Sequence, residues 1–245
     1  MTRVYMPDVA AGATRVEVRG DEAHHLSRVV RARVGDVVGV FDGRGREWRA
    51  RVDEVTKQSV VVTLGEDVPA VVEPSVQVTL AIGVLKGDQM DSVVRDATVM
   101  GVSAIVPIAT DHVTVPARAW RDDGAAARWH RVAVAAAKQC QRAVVPRMSA
   151  VVPFAEVWTA PRAALVLACV EPGALGVTPG SAWQTIARPA SVLLLVGPEG
   201  GWSDAEVAQI GAQGGHAVSL GPRTLRAELV PAVAMATLWS TWGWT

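Results

Sequence analysis

The chain contains little of what several common functional sites require. Its 245 residues include only two cysteines, Cys140 and Cys169, which are far apart and belong to no CxxC or Cys/His cluster. We therefore expect reduced thiols and predict neither a disulfide framework nor a zinc site, and the histidines show no metal-ligand spacing. The N-terminus has no apolar leader, and no run approaches the roughly 20 apolar residues of a membrane span. These absences predict a cytoplasmic protein with no membrane partner and no metal.

Net charge is also missing. The chain has 24 basic and 24 acidic side chains, so its average charge does not indicate a nucleic-acid partner. The distribution is uneven, however. Seven arginines lie between Arg28 and Arg51 against three acidic residues, and seven basic residues lie between Arg118 and Arg147 against two. These two clusters predict a localised anion-binding surface, and solvated element faces are an equally good explanation of each.

The first part of the chain has the pattern of a small β-barrel. Residues 14–18 alternate as a half-buried strand does, and residues 37–52 read as a strand, a tight turn and a second strand. A helical stretch fits residues 22–33, with His25, Val29 and Val30 on its inner face. Short strands with turns at this spacing indicate a barrel.

Residues 66–75 are rich in acid and proline without a clear period, which predicts a linker. Strands and helices alternate after it, including a long helix over residues 125–143. Such alternation predicts a largely parallel sheet covered on both faces. We therefore predict two domains, 1–70 and 76–245.

Two glycine-proline turns near the end of the chain predict a ligand site. Residues 192–196 form an apolar strand that runs into Gly197–Gly201, and Ser203 with Glu206 forms a capping box that starts a helix. A second apolar run, 217–220, ends in Gly221-Pro222. We expect the two turns at the carboxyl ends of neighbouring strands, where open α/β sheets bind ligands. Their bare backbone and few charges favour a nucleoside over a polyphosphate, and a plain tight turn is the alternative.

Conventional nucleotide signatures are absent. The first strand of the second domain ends in Gly83-Val84-Leu85-Lys86-Gly87, which lacks the GxGxxG spacing of dinucleotide-binding folds. No GxxxxGK[ST] sequence occurs, which excludes a P-loop. A nicotinamide oxidoreductase is therefore not expected.

The turns carry a family resemblance. Leu195–Ser203, followed by Leu220–Glu228, resembles the paired signature of the SPOUT methyltransferases. More closely, the chain resembles the RsmE family, which methylates N3 of a uridine in small-subunit (16S) ribosomal RNA. Arg3-Val4-Tyr5 and His25–Arg31 resemble the PUA-like N-terminal β-barrel of that family, and the likeness extends over nearly the whole chain.

The resemblance implies an α/β fold in which a PUA-like, RNA-binding β-barrel precedes a SPOUT domain with a mainly parallel sheet and a deep trefoil knot. It also implies S-adenosyl-L-methionine as cofactor, 16S ribosomal RNA or the small ribosomal subunit as substrate, and a homodimer. The loops that would bind the cofactor through close backbone approach contribute Val170, Glu171, Val196, Gly197, Pro198, Gly200, Gly201, Leu220, Gly221, Pro222 and Leu225.

Methylation of uridine N3 requires loss of the imide proton and neutralisation of charge on the base carbonyls. Arg226 is the candidate for stabilising the uridine anion, and Glu228 or Glu199 for accepting the proton. An Arg226–Glu228 ion pair that only orients the loop, and a Glu199 that caps N–H groups in its own turn, are the alternatives. The candidate contacts to RNA phosphates are Arg3, Arg28, Arg31, Arg33, Arg128 and Arg142.

One departure from the family pattern leaves a rival hypothesis open. The Leu-Arg pair is usually followed by Thr-Glu-Thr-Ala, whereas this chain has Ala227-Glu228-Leu229-Val230. The loss of two hydroxyls favours a non-catalytic RNA-binding or ribosome-assembly factor that retains the fold. Tryptophans near the C-terminus, including Trp239 and Trp244, are expected in the core or in a dimer interface rather than as base-stacking platforms.

Overall fold

A computed structural model describes residues 1–120, 123–159, 162–173 and 186–245. These residues belong to two compact units. The first comprises Met1–Val72 and Ala137–Val145, and the second comprises Glu73–Ala136 and Pro146–Thr245. The domain limits 1–70 and 76–245 remain a prediction, since the first unit also takes in a segment from the middle of the chain.

The first unit is a small five-stranded sheet with one short helix. Its elements are β1 (Arg3–Tyr5), β2 (Arg15–Arg19), α1 (Gly20–His24), β3 (Val37–Phe41), β4 (Glu47–Val55) and β5 (Ser59–Asp67). The strand order is β1-β3-β4-β5-β2, in which β1 runs parallel to β3 and all other pairs are antiparallel. Alternating valines of β4 and β5, such as Val52, Val60 and Val62, form the core. The predicted strand–turn–strand unit over residues 37–52 is confirmed.

The helical stretch of this unit faces the core with other residues than those predicted. Helix α1 continues into a π-helical turn over His25–Val30, and Ala23 and Leu26 are the buried residues. Val29 is 64% exposed and Val30 is 39% exposed, so their assignment to the inner face is wrong. The wider π turn has more residues per turn than an α-helix, which shifts every later side chain around the axis.

Buried Arg3 attaches Ala137–Val145 to the first unit. Its guanidinium binds both carboxylate oxygens of Glu47 (Nε–Oε1 3.0 Å, Nη2–Oε2 2.7 Å). It also donates to the carbonyl oxygens of Ala137 (2.7 Å) and Arg142 (2.9 Å). Arg3 is 7% exposed and Arg142 is 4% exposed, so their assignment as RNA contacts is wrong. Sequence patterns show that a residue is cationic, but not that its partner lies far along the chain.

The second unit is a parallel α/β domain. Its strands are β6 (Gln77–Gly83), β7 (Ala104–Ala109), β8 (Arg147–Met148), β9 (Val152–Pro153), β10 (Leu165–Cys169), β11 (Ser191–Val196) and β12 (His216–Val218). Its helices are α2 (Gln89–Val99), α3 (Asp123–Cys140, whose last residues belong to the first unit), α4 (Asp204–Ala212) and α5 (Val230–Trp242). No helix within the described ranges is long and apolar enough to span a membrane.

The seven strands of the second unit pair only in parallel, which confirms the predicted sheet. Their order is β12-β10-β11-β6-β7, with β8 and β9 both paired to β7. All five residues of β10 are buried, as expected of a strand covered on both faces. The two glycine-proline turns do not follow neighbouring strands as predicted, because β10 lies between β11 and β12.

Helix α3 ends three residues earlier than predicted. Helix α3 ends at Cys140 rather than at residue 143, because Gln141 adopts a left-handed conformation with φ of 66°. On α5, Trp239 is buried and donates to the carbonyl of Met100 (2.9 Å), and its ring packs edge-on against Trp244 (centroids 5.1 Å apart). Trp239 therefore belongs to the core of the second unit, and the partly buried Trp244 packs against it.

Candidate functional site

Three adjacent strands deliver their loops to one side of a cavity. Because β12, β10 and β11 are neighbours and parallel, their carboxyl ends lie at the same edge of the sheet. The loops that follow them are 170–173, 197–203 and 219–229. Together they enclose a cavity of about 610 Å³. This volume is in the range of pockets that hold small organic ligands and cofactors.

Most of the predicted cofactor residues line this cavity. They are Val170, Glu171, Val196, Gly197, Pro198, Gly200, Gly201, Leu220 and Leu225. Gly221 and Pro222 belong to the same loop as Leu220, but among the described residues they are not part of the cavity wall. The predicted catalytic candidates Glu199, Arg226 and Glu228 also line it.

The wall contains residues that the sequence did not indicate. Gln89 enters from the start of α2, and Cys169 ends β10. Burial raises the pKa of the Cys169 thiol to about 12, so this part of the wall is uncharged near neutral pH. Trp202 also lines the cavity. Its position directly after Gly200-Gly201 was the one feature of the sequence that could have indicated this.

The glycine turn after β11 approaches the end of β6 very closely. A Cβ atom on Gly83 would lie 2.6 Å from the backbone nitrogen of Pro198 and 2.7 Å from its Cδ. Only glycine at position 83 allows Pro198 this position. The Gly83–Gly87 segment therefore packs, through Gly83, against the turn that lines the cavity, although it lacks the GxGxxG spacing of dinucleotide-binding folds.

Glu199 connects two loops. Its Oε1 accepts a hydrogen bond from the backbone N–H of Lys86 (3.0 Å). With its side-chain amide oriented so that the nitrogen faces Glu199, Gln89 donates to the same oxygen (2.8 Å) and to the carbonyl of Lys86 (3.3 Å). Glu199 therefore caps a backbone N–H of the loop between β6 and α2, rather than one in its own turn.

Arg226 and Glu228 lie close together at the mouth of the cavity. Nη1 of Arg226 is 3.7 Å from Oε1 of Glu228, and the side chains are 84% and 22% exposed, respectively. An exposed pair at this distance contributes little to stability. The guanidinium group therefore retains most of its donors for a ligand, while the carboxylate is the more enclosed of the two.

The predicted capping box of α4 is confirmed. Ser203 Oγ accepts from the N–H of Glu206 (3.3 Å), and the N–H of Ser203 donates to Glu206 Oε2 (2.9 Å). The other oxygen of Glu206 accepts from the N–H of Asp111 (2.9 Å), and Ser203 Oγ donates to Asp111 Oδ2 (2.6 Å). The loop after β7 therefore holds the start of α4.

His112 holds the glycine turn after β11 at Gly200, three residues before Ser203. Its Nδ1 lies 2.9 Å from the carbonyl oxygen of Gly200. Because a carbonyl oxygen can only accept, Nδ1 carries the proton in this contact. The glycine turn after β11 is thus held at Gly200 and again at Ser203.

Part of the first basic cluster remains available for an anion. Arg28, Arg31 and Arg33 are exposed, and no carboxylate within residues 1–72 forms an ion pair with them. They lie in and just after the π-helical turn, beside exposed Val29 and Val34. Other arginines of this unit, such as Arg46, are paired with carboxylates.

The second basic cluster is less available. Nε and Nη2 of Arg128 both bind Oδ2 of Asp91 (3.0 and 2.5 Å), although the Arg128 side chain is still half exposed. Arg142 is buried, and Arg121 lies outside the described residues. Within the described ranges no group of three or more His, Cys, Asp or Glu side chains is arranged to hold a metal ion.

Comparison with known proteins gives matches along nearly the whole chain. A family model described as an RNA methyltransferase domain matches residues 72–239, and a model described as an RNA methyltransferase PUA domain matches residues 18–65. Ribosomal RNA small subunit methyltransferase E of Synechocystis sp. is 32% identical over 237 residues, which cover 96% of this chain and 76% of that protein. The protein of the same name from Bacillus subtilis is 29% identical over 232 residues, which cover 92% of this chain and 90% of that protein.

A solved structure shows the same architecture. Ribosomal RNA small subunit methyltransferase E from Neisseria gonorrhoeae, crystallised bound to S-adenosyl methionine, superimposes with a TM-score of 0.85 at 27% identity. The superposition covers 99% of this chain and 98% of that one.

Proposed function

This chain belongs to the RNA methyltransferase family that includes ribosomal RNA small subunit methyltransferase E, and from that premise we propose that it methylates small-subunit ribosomal RNA with S-adenosyl-L-methionine as donor. The observation that carries the proposal is the cavity enclosed by the loops after β10, β11 and β12. A protein that acts on ribosomal RNA is expected in the cytoplasm.

The residues of the cavity fit the proposed cofactor. Gly197, Gly200 and Gly201 allow close approach of the backbone, whose N–H and C=O groups can read an adenine ring. Val196, Leu220 and Leu225 supply apolar contacts for its faces. When bound, S-adenosyl-L-methionine supplies a methyl group on a positively charged sulfur. The neutral Cys169 thiol adds no charge to the wall near neutral pH.

The finer proposal is that the accepting atom is N3 of a uridine. Loss of its imide proton leaves negative charge on the base, and the exposed guanidinium of Arg226 lies at the cavity mouth, where it can donate to the base oxygens. Glu228 is the better candidate for accepting the proton. Glu199 already accepts from Lys86 and Gln89, so its carboxylate is committed to holding two loops together.

We propose that Arg28, Arg31 and Arg33 contact RNA phosphates, because they are exposed and lack carboxylate partners within the first unit. Such contacts position the RNA without reading its sequence. Specificity would then depend on RNA shape and on a uridine extruded into the site. Arg128 is a weaker candidate, since Asp91 occupies part of its guanidinium.

A homodimer is supported by the surface of α5. This helix contains no charged residue. One of its faces is partly or fully exposed and consists of Leu229, at the N-cap, followed by Val233, Ala236 and Ser240. The side chain of Leu229 is 48% exposed. The C-terminal tryptophans do not support a dimer, because they pack within their own chain.

Light scattering of the wild type and of Ala236→Arg, which places a charge on the exposed face of α5, tests the homodimer. We expect the wild type to be a dimer and Ala236→Arg to be a monomer.

The rival hypothesis, a non-catalytic RNA-binding factor, rests on the Ala227–Val230 departure. The matched relatives are named as methyltransferases, and Arg226 and Glu228 are retained at the cavity, so the enzyme is favoured. Calorimetry with S-adenosyl-L-methionine, followed by transfer of its labelled methyl group to small subunits and to naked RNA, distinguishes the two. Binding without transfer to either substrate would support the rival.

The catalytic assignment is tested with Arg226→Gln and Glu228→Gln. We expect both variants to lose at least about a hundredfold in methyl transfer, as is typical of groups that stabilise charge or move a proton in the transition state. Affinity for S-adenosyl-L-methionine should stay within a few-fold of wild type. Mass spectrometry of the digested RNA identifies the modified atom. A methyl group elsewhere than on uridine N3 would contradict the finer proposal and leave the broader one standing.

A further inference from the structure

We propose that Trp202 is a positioning residue whose indole N–H ties two cofactor loops together before the cofactor binds. Nε1 of Trp202 donates to the backbone carbonyl oxygen of Cys169 at 2.9 Å. Trp202 follows the glycine turn after β11, and Cys169 is the last residue of β10. Both residues line the cavity. The inference rests on the proposed function, in which that cavity binds S-adenosyl-L-methionine.

The Trp202 end of this link is rigid. The neighbouring Ser203 is held by the capping box and by Asp111, and Gly200 is held by His112. The indole ring also packs against Phe154, with centroids 5.4 Å apart. Its Nε1 would lie 3.3 Å from a Cβ on Gly197, so the ring rests directly on the glycine turn. These contacts set the direction in which the N–H points.

The Cys169 end leads into the loop that follows β10, of which residues 170–173 are described. The residues after it, Val170, Glu171 and Pro172, form part of the cavity wall, and Gly173 has a left-handed φ of 86°. The N–H of Val170 is bound to the carbonyl of Val218 in β12 (3.0 Å). The indole contact adds a second tie to the same peptide group, through its carbonyl oxygen and from the loop after β11.

The consequence is preorganisation. A glycine-containing loop that is ordered only when a ligand binds lowers the affinity by the entropy it loses. If the Trp202 N–H orders the Cys169–Gly173 segment beforehand, the cofactor binds more tightly without touching the indole nitrogen. A phenylalanine at this position would retain the ring contact with Phe154 but could not donate the hydrogen bond.

The chain provides a matched control. Trp158 packs edge-on against the same Phe154 ring, with centroids 5.6 Å apart. Its buried Nε1 has no hydrogen-bond partner among the described residues. Trp158→Phe therefore makes the same chemical change beside the same Phe154 ring, but it removes an N–H that makes no hydrogen bond to the described residues.

The test compares wild type, Trp202→Phe and Trp158→Phe by calorimetry with S-adenosyl-L-methionine. Loss of one internal hydrogen bond predicts about three- to tenfold weaker binding for Trp202→Phe, and no measurable change for Trp158→Phe. In steady-state assays the loss should raise KM for the cofactor more than it lowers kcat. Amide exchange should become faster at Val170, Glu171 and Gly173 in Trp202→Phe only.

Two results would overturn the proposal. One is wild-type affinity in Trp202→Phe, and the other is an equal loss in both variants, which would assign the effect to the aromatic cluster. A wild-type protein that does not bind S-adenosyl-L-methionine would instead refute the proposed function, so the two failures are distinguishable.

Discussion

At the scale of single residues, Arg3 shows how burial changes the meaning of a charge. Its guanidinium is satisfied by both oxygens of Glu47 and by two backbone carbonyls, and it stacks on the Phe41 ring at 4.4 Å. Such a group holds the first unit together and cannot reach RNA. Removing one member of a buried pair leaves the other charge uncompensated.

We predict that Arg3→Met lowers the free energy of unfolding by about 3–5 kcal/mol, because Glu47 is left buried without its partner. Urea denaturation measures the loss. Arg46→Met is the control, since the Arg46–Asp67 pair is exposed and 3.6 Å apart, and a change of roughly 0–1 kcal/mol is expected. Replacing both members, Arg3→Met with Glu47→Leu, should recover part of the stability. A double variant less stable than Arg3→Met would contradict this explanation.

Cys169 gives a second prediction at the same scale. Burial raises its thiol pKa to about 12, so the reactive thiolate is scarce at every pH below that value. At pH 8 we expect iodoacetamide to label the partly exposed Cys140 and to leave Cys169 unmodified in the native protein. Peptide mass spectrometry reads out both sites, and labelling in urea is the control. Equal labelling of both cysteines in the folded protein would be inconsistent with this burial.

At the scale of elements, the cavity depends on how closely the turn after β11 packs on β6. Gly83 leaves no space for a side chain beside Pro198, and the loop after β7 holds the same turn through Gly200 and Ser203. The glycine turn is therefore fixed from two sides before any ligand arrives.

We predict that Gly83→Ala weakens cofactor binding at least about tenfold and lowers Tm, because its methyl group would displace Pro198. Calorimetry and thermal unfolding measure the two effects. The control is Gly211→Ala in α4, where a Cβ meets nothing within 4 Å and removal of a helical glycine should stabilise by about 0.5–1 kcal/mol. Unchanged affinity in Gly83→Ala would show that this contact does not shape the site.

The strands and helices themselves were largely predictable from the sequence, whereas the order of the strands in the sheet was not. The alternation of apolar runs and helical segments predicted the parallel sheet, and Ser203 with Glu206 predicted the start of α4. The position of β10 between β11 and β12 had no local signal, because strand order in a parallel sheet is set by crossover connections. For the same reason Gln89 and Cys169 were missed at the cavity, and the π-helical turn displaced Val29 from its expected face.

At the scale of the whole molecule, exposed Arg28, Arg31 and Arg33 and the cavity belong to different compact units, so the proposed RNA contacts and the cofactor site can be altered by separate substitutions. Net charge could not reveal this, since most arginines of the first unit are matched by nearby carboxylates. The ion pairs seen in the structure distinguish Arg28, Arg31 and Arg33 from paired arginines such as Arg15, Arg19 and Arg46.

We predict that the triple variant Arg28→Gln, Arg31→Gln and Arg33→Gln binds ribosomal RNA more weakly and with a shallower salt dependence. Each lost phosphate contact should reduce the slope of log K against log salt concentration by about 0.7–0.9. Filter binding over a range of potassium chloride measures it. The control triple, Arg15→Gln, Arg19→Gln and Arg46→Gln, removes arginines that already have carboxylate partners. A control with the same loss of slope would remove the special role of residues 28–33.

The measurement that tests the central claim most directly is a crystal structure of this protein with S-adenosyl-L-methionine. We expect density for the cofactor in the cavity between the loops that follow β10, β11 and β12, with its adenine ring against Leu220 and Leu225. Density at another site, or none at concentrations that saturate binding in solution, would contradict the account.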